Sequence, residues 1–259
     1  MQMDFELLKK ACAADRPLLG VHLSFLTPEV VEYCGVLGFR WVFLDAEHQP
    51  VTPDNCQRLV CAAQLHGMPC VVRVPRLDVH TIEQFLNVGV LGILLSKVTS
   101  AQMVRQLLQA VKFAPEGRRG AASRSRAANY GLIGSPTSYY ERVNRSIVTA
   151  ALIESQEGID ALDEIAATPG LDCLAIGSND LALSMEIHTA TQNANVPATV
   201  EAAGTRIRRA GKAQMTVVGS VEEAQAAARA GVRLIAVSDA ALLATAARGL
   251  FKSCDGETS

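Results

Sequence analysis

Asp45-Ala46-Glu47-His48 directly follows the apolar run Trp41-Val42-Phe43-Leu44. Two carboxylates and an imidazole at the end of a buried segment are costly unless they are paired, bound to a metal or open to a cleft. The pattern recurs: Val71-Val72 runs into Arg73-Val74-Pro75, Leu94-Leu95 into Ser96-Lys97, Leu152-Ile153 into Glu154, and Ala175-Ile176-Gly177 into Ser178-Asn179-Asp180. A solvated loop charge explains any one of these, but five in succession point to a shared site. Glu154 and Asp180 are hard oxygen donors of the kind Mg²⁺ or Mn²⁺ prefers, with waters and substrate oxygens completing an octahedron. Carboxylates bridged to arginines are the structural alternative for the same pair. His48 can exchange a proton near neutral pH, and Arg73 offers a positive fork for a developing enolate oxygen. A metal, a base and a cation together suit proton abstraction, or C–C cleavage, next to a carbonyl.

These residues need strands to carry them. Eight short apolar or β-branched runs are expected as strands: Leu18–Leu23, Trp41–Leu44, Cys70–Val74, Gly92–Leu95, Ile147–Ile153, Cys173–Ile176, Ala213–Val218 and Arg233–Val237. Amphipathic stretches alternate with them, including Pro28–Leu37, Pro53–His66, Val79–Val88, Ala101–Phe113, Gly158–Ala167 and Val221–Ala230. Thr27-Pro28, Thr52-Pro53, Asp78 and Ser100 are helix-start signals, and Gly38, Gly67, Gly89, Gly170 and Gly231 follow helix ends. Eight strand–helix alternations predict a parallel (β/α)₈ TIM barrel, whose functional face lies at the C-terminal ends of the strands. An open doubly wound sheet is the rival, and no G-x-G-x-x-G follows the first strand.

The expected organisation is a single domain over 1–259, a size that one barrel of roughly 250 residues accounts for. It has a long loop at about 113–146, expected over the catalytic mouth, and a frayed tail at about 252–259. Four loop arginines, Arg118, Arg119, Arg124 and Arg126, could meet an anionic substrate, a solvated loop or a subunit contact. Hydrophobic residues make up 49% and aromatics only 5%, so the core is built from aliphatic side chains, as a buried parallel sheet requires. A net charge of −2 gives no sign of nucleic acid or a membrane surface as partner. Seven scattered cysteines without a C-x-x-C pair fit reduced thiols in a cytoplasmic protein.

The stretches Leu44-Asp45-Ala46-Glu47-His48, Val72-Arg73-Val74-Pro75, Phe113-Ala114-Pro115-Glu116-Gly117-Arg118-Arg119-Gly120, Ile153-Glu154 and Gly177-Ser178-Asn179-Asp180-Leu181 resemble, in order, signatures of the 2,4-dihydroxyhept-2-ene-1,7-dioate aldolase family. Its relatives include 2-keto-3-deoxy-sugar-acid aldolases and macrophomate synthase. The resemblance implies a class II pyruvate aldolase, commonly a homohexamer, using Mg²⁺, Mn²⁺ or Co²⁺. It implies Glu154 and Asp180 as metal ligands, His48 as acid/base with Asp45 orienting it, and Arg73 at the enolate oxygen. Backbone N–H groups at Asn179 and Asp180, beside Ser178, would receive the substrate carboxylate. Glu47 accompanies His48 as a secondary candidate.

Several positions depart from the family pattern. Leu152 stands where a substrate-contacting glutamine is common, Ser96-Lys97 replaces Pro-Met, and Ser178-Asn179 replaces Pro-Ala. His22 replaces an aromatic residue, and Asn87 replaces an aspartate thought to raise the pKa of the base. Asn87 is therefore expected to leave His48 less basic. Lys97, Asn179 and His22 are expected to line a pocket for a different acceptor or an acidic substrate, and Lys97 is also the one strand-end lysine available to a Schiff-base mechanism. Three functions follow: a metal-dependent aldolase or lyase joining or releasing pyruvate and an aldehyde; an oxaloacetate decarboxylase or macrophomate-synthase-like C–C bond former; and a catalytically reduced barrel that binds a ligand.

Overall fold

The computed structural model describes residues 4–185 and 195–254. Helix α1 (Leu7–Ala13) precedes β1 (Leu18–His22), α2 (Pro28–Leu37), β2 (Val42–Asp45), α3 (Pro53–Leu65), β3 (Cys70–Val74), α4 (Val79–Val88), β4 (Gly92–Leu95) and α5 (Ala101–Val111). Then come α6 (Pro136–Ser146), β5 (Val148–Ile153), α7 (Gln156–Asp160), α8 (Leu162–Ala166), β6 (Cys173–Ile176), α9 (Ser178–Ser184) and α10 (Asn195–Arg209). The chain continues through β7 (Ala213–Val218), α11 (Val221–Arg229), β8 (Leu234–Ser238) and α12 (Asp239–Cys254). Each strand pairs in parallel with the next and β8 pairs with β1, closing the (β/α)₈ barrel.

Local chemistry sets where helices begin. The side chains of Thr27, Thr52, Asp78, Ser100 and Ser220 each accept a backbone N–H from the first turn of the helix that follows. Gly38 and Gly89 end α2 and α4 in the left-handed conformation. The single helix expected over Gly158–Ala167 is instead two short ones divided at Ala161.

Strand alternation divides the core in two. Val42, Leu44, Val72, Ile93, Leu95 and Leu174 pack outward in the layer shared with the helices. Phe43, Val71, Leu94, Leu152, Ala175 and Met215 pack inward in the barrel lumen. Leu8 and Ala11 of α1 join this inner cluster. Lys9 Nζ holds that helix by its 2.6 Å ion pair with Asp172.

The segment 113–146 corrects the expectation of a loop over the mouth. It follows α5 and leads into β5, so it is an αβ connection at the N-terminal ends of the strands, opposite the βα loops. It is also structured, with a 3₁₀ turn at Arg126–Gly131 and then α6. Asn144 in α6 both accepts from Phe113 N and donates to Phe113 O, which pins the start of the connection. The tail expected to fray at 252–259 is helical through Cys254 in α12, and 255–259 lie outside the described residues. Among the described residues no helix is long and apolar enough to cross a membrane.

Inward packing at the base leaves no room at Gly20, where a Cβ would lie 2.4 Å from the Trp41 ring. Trp41 is itself fully buried, with Nε1 donating to Leu18 O at 3.0 Å. Gly20→Ala is expected to cost about 1–3 kcal/mol through overpacking. Equilibrium denaturation of the two proteins measures it, and unchanged stability would mean that the indole can move aside.

Candidate active site

The inward parity that fills the lumen continues one step further at the mouth. His22 lies two residues beyond Gly20, Asp45 two beyond Phe43, Arg73 two beyond Val71, Ser96 two beyond Leu94 and Glu154 two beyond Leu152. Because adjacent side chains on a strand alternate, these polar groups point the way the lumen residues do. His22, Asp45, Arg73 and Glu154 line a cavity of about 300 Å³ together with His48 and Ser178–Asp180. Phe43, Leu94, Leu152 and Met215 give it an apolar floor.

Asp45 and Arg73 are direct partners in the β2–β3 register. Arg73 Nε donates to Asp45 Oδ1 at 2.8 Å, and Nη2 pairs with Oδ2 in the second arm of a fork. Asp45 Oδ1 also accepts the backbone N–H groups of Glu47 and His48, at 2.9 and 3.2 Å. Burial works to raise the Asp45 carboxyl, but the Arg73 bond and charge and the two backbone donors outweigh it and hold it below the ordinary carboxylate range. Asp45 thus fixes Arg73 and the turn carrying His48. Glu47 Oε2 lies 4.0 Å from His48 Nε2.

Glu47 is buried behind this turn. It accepts Ser96 Oγ at 2.6 Å, lies 3.1 Å from Lys97 Nζ and 3.6 Å from Arg73 Nε. Lys97 has φ of 55°, which aims its backbone N–H at Glu154 Oε1, 2.9 Å away. Its hydrogen bond to Glu47 and the neighbouring carboxylates raise the ammonium pKa. A Schiff-base nucleophile needs the opposite shift.

Glu154 is only 4% exposed. Burial lifts its pKa to about 7, with the like charges of Glu47 and Asp180 adding to the rise, while the Lys97 N–H and Arg73 oppose it. Gly177 passes close beneath: a Cβ there would sit 2.9 Å from Glu154 Oε2. The turn then enters α9 without a side-chain cap, so the first backbone N–H groups of that helix remain for a ligand. Burial also lowers the pKa of His22, against the pull of Asp45 and Asp239, and its buried Nδ1 has no protein partner.

The donor set fits a hard divalent cation. Of the carboxylates on the cavity wall, Asp45 is engaged by Arg73 while Glu154 and Asp180 are the ones left for a cation, and among the described residues no group of three or more His, Cys, Asp or Glu side chains could hold a metal alone. Two carboxylates leave positions for water and substrate oxygens, as a catalytic Mg²⁺ or Mn²⁺ requires. With Glu154 ionised, Asp45, Glu47, Glu154 and Asp180 outnumber Arg73 and Lys97 by two negative charges, which a divalent ion would balance.

Asn87 is not brought to this site. It lies in the last turn of α4, at the other end of the barrel, where its Oδ1 accepts from Arg119 Nη2 at 2.9 Å. Within this chain the proposed effect of Asn87 on His48 basicity therefore has no direct path. Arg126 is likewise at the base, bonded to Val88 O and Gln64 Oε1. The strand-end residue Ser96 supports Glu47, and Met215, Thr216 and Val217, which carry no charge to mark them in the sequence, form part of the cavity wall. Two-residue alternation through β4 and β7 is the signal that finds Ser96, Met215 and Val217.

A carboxyl with pKa raised from 4.5 in the unfolded chain to about 7 in the fold penalises folding where it must ionise. The penalty is complete above pH 7, shrinks as pH falls through 7 and vanishes below 4.5. In chelator-treated protein, Glu154→Gln should therefore stabilise by up to about 3 kcal/mol at pH 8 and by little at pH 4.5. Thermal melts at both pH values check it; destabilisation at pH 8 would contradict the charge argument.

Residues 18–245 match the family described as HpcH/HpaI aldolase/citrate lyase. A hydroxypyruvate/pyruvate aldolase from Deinococcus radiodurans is 34% identical over 247 residues, covering 95% of this chain and 88% of that protein. A 2-keto-3-deoxy-L-rhamnonate aldolase from Escherichia coli is 31% identical over 220 residues, covering 85% of this chain and 81% of its own. Among solved structures, an aldolase/citrate lyase family protein from Burkholderia cenocepacia superposes with a TM-score of 0.85 at 28% identity, covering 97% of this chain and 100% of that one. With that match over most of its length, the chain belongs to the HpcH/HpaI aldolase/citrate lyase family, whose aldolases are carbon–carbon lyases.

Proposed function

We propose that the protein is a divalent-metal-dependent aldolase that makes or cleaves the C–C bond next to a small 2-oxo acid. The observation that carries this reading is the convergence of Glu154, Asp180 and the fixed Arg73 on one cavity, in a chain of this family. The substrates named for the Deinococcus relative, hydroxypyruvate and pyruvate, support a 2-oxo acid of that size. Glu154 and Asp180 would hold Mg²⁺, Mn²⁺ or Co²⁺, which when bound supplies Lewis acidity at the 2-oxo group worth several kcal/mol.

The chain's own residues divide the remaining work. After its fork with Asp45, Arg73 keeps both Nη1 hydrogens and one on Nη2 to donate to the oxygen that becomes negative. The first N–H groups of α9, at Ser178, Asn179 and Asp180, receive the substrate carboxylate. His48, exposed at the lip, takes the proton of the substrate hydroxyl during cleavage and returns it during condensation, with Glu47 beside it to stabilise the imidazolium. Phe43, Leu94, Leu152 and Met215 keep water from the carbanion face. Leu152 offers no polar group to the acceptor, so orientation of the aldehyde falls to His22, Ser178 and Asn179.

Exposed apolar side chains on α2 (Tyr33, Val36, Leu37) and α12 (Leu243, Leu250, Phe251) support assembly with further copies, a hexamer by resemblance. Seven unpaired cysteines support a cytoplasmic location.

Incubation with pyruvate and Mn²⁺ or Mg²⁺ in D₂O tests the reading. The methyl protons are expected to exchange only with metal present, and Glu154→Gln should abolish the exchange. Arg73→Lys should slow it by about 10²–10³-fold, since an ammonium cannot hold the Asp45 fork and reach the oxygen together. A folded protein that catalyses no exchange with any of these metals sinks the aldolase reading. Release of CO₂ from oxaloacetate without pyruvate exchange would replace it with decarboxylation.

A further inference from the structure

A second cavity, which the catalytic reading leaves unused, lies at the base of the barrel, where Arg119 of the Pro115-Glu116-Gly117-Arg118-Arg119-Gly120 segment meets α6. Its free space is about 30 Å³, and Arg119, Arg142 and Tyr139 line it, with no carboxylate among its walls. Arg119 is 6% exposed and Tyr139 4%. The Arg119 guanidinium stacks 4.5 Å from the Phe113 ring centre and gives one bond to Asn87, an uncharged amide. Its buried Nε makes no well-aligned hydrogen bond and neither does the buried Tyr139 phenol oxygen, although the two side chains lie close enough to interact with each other. Glu83 is the acid whose charge reaches Arg119, but its Oε1 accepts the Gly120 N–H at 2.7 Å. Arg142 lies over Phe5 and Tyr139, at 4.8 and 5.6 Å from the ring centres.

An arginine cannot relieve its burial by losing its proton. A buried charge without a partner costs several kcal/mol, and an unmet N–H donor adds to that. Here two guanidiniums and a phenol O–H line one small space. A cavity needs roughly 10–15 Å³ of such space to hold one water, so this one admits one or two bodies of that size. A phosphate or a substrate carboxylate is too large.

We propose that the space between Arg119 and Tyr139 is a binding site for one small monovalent anion, a halide such as chloride. The anion takes the Arg119 Nε–H and the Tyr139 O–H as donors and supplies the negative charge that Asn87 lacks. It joins α4, the start of the α5–β5 connection and α6. Within one chain the site shares no lining residue with the catalytic cavity and lies at the opposite end of the barrel.

The full protein, exchanged into sodium gluconate, is titrated with chloride or bromide at constant ionic strength while its melting temperature is followed. A saturable rise is expected with either halide. Asn87→Asp should melt higher in gluconate and lose the halide response, because an internal carboxylate then occupies the role of the anion. Tyr139→Phe should shift the response to higher halide concentration. Bromide-soaked crystals should show an anomalous peak between Arg119 Nε and Tyr139 Oη. A halide-insensitive melting temperature, a full response retained in Asn87→Asp, or water alone at that position would each overturn the proposal.

Discussion

The ion pair between Asp45 and Arg73 is the constraint on which the mouth of the barrel depends. Strand pairing sets the two residues side by side, and alternation turns both toward the lumen. Neither charge would be tolerable there alone, since an unpaired buried ion costs several kcal/mol. Once paired, each has capacity left. Asp45 uses its remaining acceptor sites to hold the turn at Glu47 and His48, and Arg73 keeps N–H groups for a ligand. Glu47 then lies close to Arg73, Ser96, Lys97 and His48, so one interaction between neighbouring strands propagates through three βα loops.

Glu154 stands under a different constraint. Its carboxylate is buried near two others, and its direct donor is the Lys97 backbone. A lysine in the left-handed region is itself unfavourable, of order 1 kcal/mol or more. The strain persists because the same backbone turn delivers its N–H to Glu154 while its side chain reaches Glu47. Two destabilising features, a strained backbone and a buried carboxyl resisting ionisation, thus support each other at the point where a cation would be held. Such concentration of cost is expected of a site arranged for binding rather than for stability.

Much of this arrangement is legible in the sequence, because the signals are local. Pro28, Pro53 and the Thr, Ser and Asp caps mark helix starts, and β-branched runs mark the strands to within a residue or so. Charge at the strand ends marks the mouth. What escapes is direction and register. The Phe113–Ser146 stretch reads as polar chain, and only its place after α5 assigns it to the base. Asn87 follows a site strand in sequence, yet α4 carries it back the length of the barrel before it appears. That Asp45 would face Arg73 depends on the β2–β3 register, which no spacing within either strand reveals.

The two ends of the barrel solve opposite electrostatic problems with the same architecture. At the mouth, carboxylates on inward strand positions exceed the cations, and the open cavity leaves room for a divalent ion together with substrate. At the base, arginines from a long αβ connection and α6 exceed the carboxylates, and aromatic faces close the space around them. The net charge of −2 does not reveal this difference between the walls of the two cavities. Neither cavity can be neutralised by the other across the apolar lumen of Val71, Val148, Ala150 and Ala236. Each must find its counter-charge locally. That need makes the two cavities, rather than the hydrophobic layer between them, the features that distinguish this chain from a barrel that only folds.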